Sequence, residues 1–170
     1  MIIYTNRHPT KCANDIAKQD WSLYILHYQK ILSAVHKLLD DTDIPDITPC
    51  SVNSPDVLWV RNSKQHYEWL FDCMCQLMVL HHKYSGEEKK DNSGAIMALA
   101  RPPHNLLNHG WADPYSPDQK PYRKPAVDVW RYQLLSWWNT GERKSTWPQG
   151  QPEWVEYNND KCGYVMRIPK

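Results

Sequence analysis

The sequence has no long apolar run, no repeated unit, no Cys-x-x-Cys pair and no excess of charge of one sign. Each absence removes a class of protein. A bilayer-spanning helix needs roughly 18–20 consecutive apolar residues, and none is found. The opening Met1-Ile2-Ile3-Tyr4-Thr5-Asn6-Arg7 lacks the pattern of a secretory signal. A cytoplasmic protein with no membrane partner is therefore expected. Cys12, Cys50, Cys73, Cys75 and Cys162 are odd in number and irregularly spaced, which argues for reduced thiols used in packing rather than a disulfide framework. The net charge of +1 gives the whole molecule no field that draws it to DNA or an anionic membrane. There is no Gly-rich phosphate loop, no Gly-x-Ser-x-Gly elbow and no pair of histidines at metal-ligand spacing on one helix face. No metal and no cofactor is expected.

What is present fits one globular domain covering residues 1–170, long enough to bury a substantial core. Hydrophobic residues make up 41% and charged residues 23%, so the mean hydropathy of −0.72 reflects Asn, Gln, His, Pro and Tyr rather than charge. The charge is nevertheless uneven. Residues 119–147 hold Lys120, Arg123, Lys124, Arg131, Arg143 and Lys144 against Asp128 and Glu142, while residues 40–46 carry Asp40, Asp41, Asp43 and Asp46. A basic face and an ordinary solvated surface are both open readings of the first stretch.

Periodicity predicts a mainly α domain of about five helices, with a short N-terminal strand at Ile2–Thr5 and a Pro/Trp-rich C-terminal tail. Pro9 or Thr10 starts a first helix running to Ala17. Trp21, Ile25, Tyr28, Leu32, Val35 and Leu39 recur at spacings of four and three, the stripe of a long helix capped by Asp20 and ended by the segment containing Pro45 and Pro49. A second long helix is predicted from about Ser63 to Tyr84, with Asn62 or Ser63 as cap and Gly86 as stop. Residues 55–60 read equally as a short helix or an extended approach. A shorter helix covers about Ser93–Ala100. Another begins at Pro125, with Val127, Trp130, Leu134, Trp137 and Trp138 inward, and ends at Gly141. Between them, 102–124 is a long Pro-rich loop of the kind that often carries function. A final strand is expected at 164–168.

The densest cluster of chemistry-bearing residues is Trp59-Val60-Arg61-Asn62-Ser63-Lys64-Gln65-His66-Tyr67-Glu68-Trp69. On one helical face, Arg61, Gln65 and Glu68 would present a guanidinium, an amide and a carboxylate, a set suited to a phosphate or a base edge. The competing reading is a buried Arg61–Glu68 pair between core tryptophans. His27 flanks the apolar face of the first long helix beside Tyr24 and Tyr28, where an imidazole serves as a general acid/base or as a satisfied structural group. His81 lies on an apolar stripe and reads as a hydrogen-bonded core residue. The rigid run Arg101-Pro102-Pro103-His104-Asn105 suits either a ligand contact or a stiff connector.

These motifs resemble those of a family of small tailed-phage proteins. The matching stretches are Pro9-Thr10-Lys11-Cys12-Ala13, Asn53-Ser54-Pro55, Trp59-Val60-Arg61-Asn62-Ser63 with Tyr67 and Trp69-Leu70, Arg101-Pro102-Pro103, Trp130-Arg131-Tyr132 and Pro152-Glu153-Trp154. Some members of that family are labelled pyrimidine-dimer DNA glycosylases of the endonuclease V type. The resemblance implies an all-α enzyme that flips a base and cleaves through an amine–sugar Schiff base, its nucleophile a free N-terminal amine on a small residue. The titratable set differs here. Lys18, Gln19, Asp20, Leu23 and His27 stand where that pattern has Asp-Lys-His and later Lys and Glu. Cys50-Ser51-Val52-Asn53-Ser54-Pro55 stands for Thr-His-x-Asn-His-Pro, and the chain opens Met1-Ile2, a start that keeps its methionine.

The expected function is thus that of a phage accessory protein that binds or acts on nucleic acid or a nucleotide in the host cytoplasm, glycosylase-like or base-modifying if it is an enzyme. His27 and Glu68 are the candidate catalytic residues, and Arg61, Gln65, Arg101, His104, Arg123 and Arg131 the candidate nucleic-acid or phosphate ligands. The alternative is a catalytically inactive relative that binds and inhibits a host defence protein, with exposed Trp111, Trp147 and Trp154 as anchors. A small-molecule enzyme using His27 as base is a third reading. Oligomeric state is not legible in the sequence.

Overall fold

The computed structural model describes residues 1–86, 93–114, 126–140, 145–161 and 163–167. Among these the chain forms six α-helices: α1 (Pro9–Asp15), α2 (Trp21–Asp40), α3 (Pro55–Arg61), α4 (Lys64–Ser85), α5 (Ser93–Leu99) and α6 (Ala126–Thr140). One turn of 3-10 helix (Lys18–Asp20) precedes α2, and β1 (Val155–Asn158) pairs antiparallel with β2 (Gly163–Met166). The mainly α expectation holds.

The long helices α2 and α4 pack against each other, α1 lies on α4, and α3 bridges both. Mid-α2 is buried on nearly all sides: Tyr28, Gln29 and every residue from Ile31 to His36 are in the core. On α4, Tyr67, Trp69, Leu70, Cys73, Met74, Leu77 and Leu80 are buried, while Phe71, Met78 and His81 are half-buried. The Gly86 stop is also found, with φ of 69° in the left-handed region that a glycine enters without a Cβ clash. Segment 55–60 resolves as helix. Pro55 supplies a preset φ in the first turn, and the Ser54 hydroxyl oxygen accepts from Val57 N–H at 3.3 Å.

Several expectations need correction. Ile2–Thr5 is extended and buried but is not a strand. Its N–H groups bond to side chains instead: Ile2 to Asp56 Oδ1 (3.1 Å), Ile3 to Tyr28 Oη (3.3 Å) and Thr5 to Cys12 Sγ (3.4 Å). Tertiary partners therefore took the place of a ladder. Asp20 makes no side-chain cap, because the chain enters α2 through a 3-10 turn. Ser63 occupies the N-cap of α4, but its hydroxyl donates to Asn108 Oδ1 at 3.0 Å rather than capping. His81 is half-buried rather than in the core, hydrogen-bonded to Ser22 Oγ on α2 at 2.9 Å. The C-terminal tail folds into a hairpin whose first strand, β1, the sequence did not announce. Pro125, Gly141, Cys162 and Ile168 lie outside the described residues.

Among the described residues no helix is long and apolar enough to cross a membrane.

Candidate functional site

The Trp59–Trp69 stretch is an aromatic cluster that fixes the fold. Trp59 stacks on His66, with centroids 4.2 Å apart and rings 10° from parallel, and meets Trp69 and Trp111 edge-on. Each ring nitrogen of Trp59, His66, Trp69 and Trp111 has a hydrogen-bond partner. Trp59 Nε1–H donates to Ala112 O (2.9 Å), Trp69 Nε1–H to Arg7 O (2.8 Å) and Trp111 Nε1–H to Asp113 Oδ1 (2.9 Å). His66 Nδ1–H donates to Trp59 O (2.8 Å), and its Nε2 accepts from Ala112 N–H (2.9 Å). Those bonds define a neutral tautomer, and burial lowers the imidazole pKa despite the carbonyl contact. The cluster clamps the 106–113 strap across the start of α4, and its Trp59, His66 and Trp69 rings are buried.

The expected Arg61–Gln65–Glu68 face is not formed as predicted. Asn62 and Ser63 separate α3 from α4, so Arg61 ends one helix and Gln65 lies in the first turn of the next. The competing buried Arg61–Glu68 pair is also absent: both residues are exposed, and Glu68 pairs with Lys64 at 3.6 Å. Glu68 lines a shallow cleft of about 340 Å³ with Tyr67, Phe71, Asp72, Ala100 and Pro102. There, burial and then the Glu68 charge raise the Asp72 carboxyl.

His27 is placed elsewhere, in the most chemically suggestive arrangement of the chain. Its Nε2 contacts the α-amino nitrogen of Met1 and lies 3.2 Å from Asp56 Oδ2, while the amine itself is 2.7 Å from that same oxygen. His27 shows 30% and Asp56 18% of its side chain to solvent, so the group is reachable from outside. Asp56 comes from the first turn of α3, where the helix dipole favours a carboxylate. Burial would raise its pKa; the contacts with His27 and the α-ammonium, together with Ile2 N–H, outweigh that and lower it. The buried Ile2-Ile3-Tyr4 segment delivers the amine to this point.

A single imidazole nitrogen cannot both accept a proton from the ammonium and donate one to Asp56. Nε2 therefore accepts from the α-amino group or donates to Asp56, one at a time. An amine beside a base that a carboxylate orients is the arrangement of an activated nucleophile.

The remaining candidates are dispersed. Arg101 and His104 are exposed. The loop they belong to is fixed by Asp40, whose carboxylate accepts from the N–H groups of His104 (2.7 Å) and Asn105 (3.1 Å), as a stiff connector requires. Arg131 is half-buried, 4.0 Å from Asp128 and with its guanidinium 5.2 Å over the Trp154 ring. Arg123 lies outside the described residues, as do Lys120, Lys124, Arg143 and Lys144. No hydrogen bond or ion pair among the described residues joins His27, Arg61 and Arg131. Trp111, Trp147 and Trp154 are half-buried rather than exposed, and the last two donate to Asp15, at its carbonyl (3.1 Å) and carboxylate (2.9 Å) respectively. They are poor free anchors for a protein partner. Among the described residues no group of three or more His, Cys, Asp or Glu side chains could hold a metal ion.

Sequence reasoning missed Asp56, and it gave the Met1 amine no place in the site because a Met1-Ile2 start departs from the small terminal residue of the family it resembles. An acid just after Ser54-Pro55 reads as an ordinary first-turn residue, and nothing in the spacing of positions 1, 27 and 56 signals that they meet. Comparison with known proteins yields no matching family model, no matching curated protein and no matching solved structure.

Proposed function

We propose that this chain is a phage accessory protein that binds nucleic acid or a nucleotide and acts as a glycosylase or abasic-site lyase through its N-terminal amine. The single observation that carries this is the Met1 amine held between His27 and Asp56. His27 takes the proton from the ammonium, and Asp56 stabilises the imidazolium that results. The amine lone pair then adds to C1′ of a deoxyribose. On an intact nucleotide the base leaves with the bonding electrons and takes up a proton, after which the C1′–O4′ bond breaks, O4′ takes up a proton and the nitrogen lone pair forms the C1′=N bond; on an abasic aldehyde the amine adds to the carbonyl and the carbinolamine loses water. Both routes end in an imine to the sugar. Arg61, Gln65 and Arg101 are exposed and available for phosphate contacts, which position a strand without reading its sequence.

The test is borohydride trapping on oligonucleotides carrying an abasic site or an ultraviolet photoproduct. The expected result is a covalent adduct located by mass spectrometry on the Met1 peptide. Loss of the proton acceptor in His27→Ala should slow trapping by about 10²–10⁴-fold, and Arg61→Ala should weaken binding while flattening its salt dependence. This function requires a free α-amine at Met1, which the intact mass reads directly. A chain with that amine free that forms no adduct at low salt would overturn the proposal.

A further inference from the structure

A second cavity, away from the amine, has the composition of a site for a stacked base with a phosphate. It is an open groove of about 550 Å³ whose lining includes Lys18, Trp147, Pro148, Gln151, Tyr157 and Tyr164, within the usual volume range of small-ligand sites. Tyr164 is buried and forms the floor. Trp147 and Tyr157 both stand nearly perpendicular to it, at 86° with centroids 5.5 Å apart and at 80° with centroids 5.4 Å apart. Tyr157 is 46% exposed at the rim. A flat ring entering the groove therefore has aromatic lining to pack against.

The walls are held in place before any ligand arrives. Lys18 N–H donates to Thr146 O at 2.8 Å, Gln19 Nε2–H to Ser145 Oγ at 2.9 Å, and Tyr164 Oη–H to Ser145 O at 3.1 Å. Trp147 Nε1–H is occupied by Asp15 O, so the indole offers the groove its ring rather than a donor. Lys18 Nζ is tethered by one N–H to Tyr84 O at 2.8 Å, and an ammonium has three donors. Among the described residues the lining contains this one cation and no carboxylate. The Lys18 ammonium beside the aromatic rings favours an aromatic ligand that carries an anionic group.

We infer that this groove binds a single nucleotide, free or at the end of an unpaired strand, with the base stacked on Tyr157 and the phosphate on Lys18. The inference goes beyond the amine-centred function, and either can fail alone. Isothermal titration of the full chain with AMP and dTMP, each beside its nucleoside, tests it. The expected result is millimolar or tighter binding that salt weakens, with nucleotide preferred over nucleoside. Tyr157→Ala should weaken binding by about fivefold or more, the lower range for loss of one base–aromatic stack. Lys18→Gln should abolish the preference for nucleotide over nucleoside, a readout that does not depend on Tyr157. Acetylating the Met1 amine should leave all of this unchanged while ending borohydride trapping. No heat with either nucleotide, equal affinity for nucleoside and nucleotide, preference for a neutral oligosaccharide, or unchanged binding in both variants would each overturn it.

Discussion

Replacing Tyr67 with phenylalanine removes one oxygen from the centre of the protein and strands two partners. The phenol donates to Leu99 O at 2.8 Å and lies 2.8 Å from His36 Nε2. Because the phenol proton is committed to the carbonyl, Nε2 must carry the proton that His36 gives in return. Tyr67, His36 and Leu99 are all buried, so water does not substitute readily. Each such bond contributes about 0.5–1.5 kcal/mol net, and each buried partner left unmatched costs about 1–3 kcal/mol. The phenyl ring keeps its packing and opens no large cavity, so the expected loss is about 2–4 kcal/mol. For a chain of this length that corresponds to a fall in Tm of roughly 4–16 °C. Urea unfolding followed by circular dichroism should show a lower midpoint with an unchanged slope. A His36→Phe, Tyr67→Phe double variant should lose less than the two single losses combined, by about 0.5 kcal/mol or more, since the pair shares one bond. A loss below about 1 kcal/mol in the single variant, or strict additivity in the double, would refute the network.

Two further outcomes follow from local geometry. Burial lowers the pKa of both His36 and His66, so around and below the ordinary imidazole value near 6.5 the unfolded chain binds more protons than the folded one. Stability should be flat above that pH and fall as pH drops through it towards the depressed folded values; urea midpoints across pH 5–8 that do not fall on the acid side would contradict the assignment of both rings as neutral. Ser54→Ala removes the cap of α3, which carries Asp56, and should cost about 1 kcal/mol. If Ser54→Gly, which lacks the capping oxygen as well, lost markedly more, backbone entropy rather than the cap would govern the position.

The helices were legible because their cause is local. Apolar residues at spacings of three and four define the buried faces of α2 and α4, and Gly86 ends α4, so the mainly α class could be read from the chain alone. The same holds for the core role of Trp59 and Trp69, whose neighbours on α3 and α4 form apolar stripes. Errors arose where a local pattern had a non-local partner. Ile2–Thr5 has the propensity of a strand, yet its N–H groups bond to Asp56, Tyr28 and Cys12, tens of residues away in two of the three cases. Arg61, Gln65 and Glu68 share a helical spacing, but a two-residue break between helices cancels it, and only the folded chain reveals the break.

The candidate site is the clearest case. His27 could be singled out from its place on an amphipathic helix, but its partners could not, because an α-amine at position 1 and a carboxylate at position 56 meet it only when the extended N-terminal segment is buried between α2 and α3. Secondary structure depends on the order of neighbouring residues, and the sequence determined that much. Which titratable groups share a proton depends on distances of 3 Å or so between remote segments, and only tertiary packing decides those.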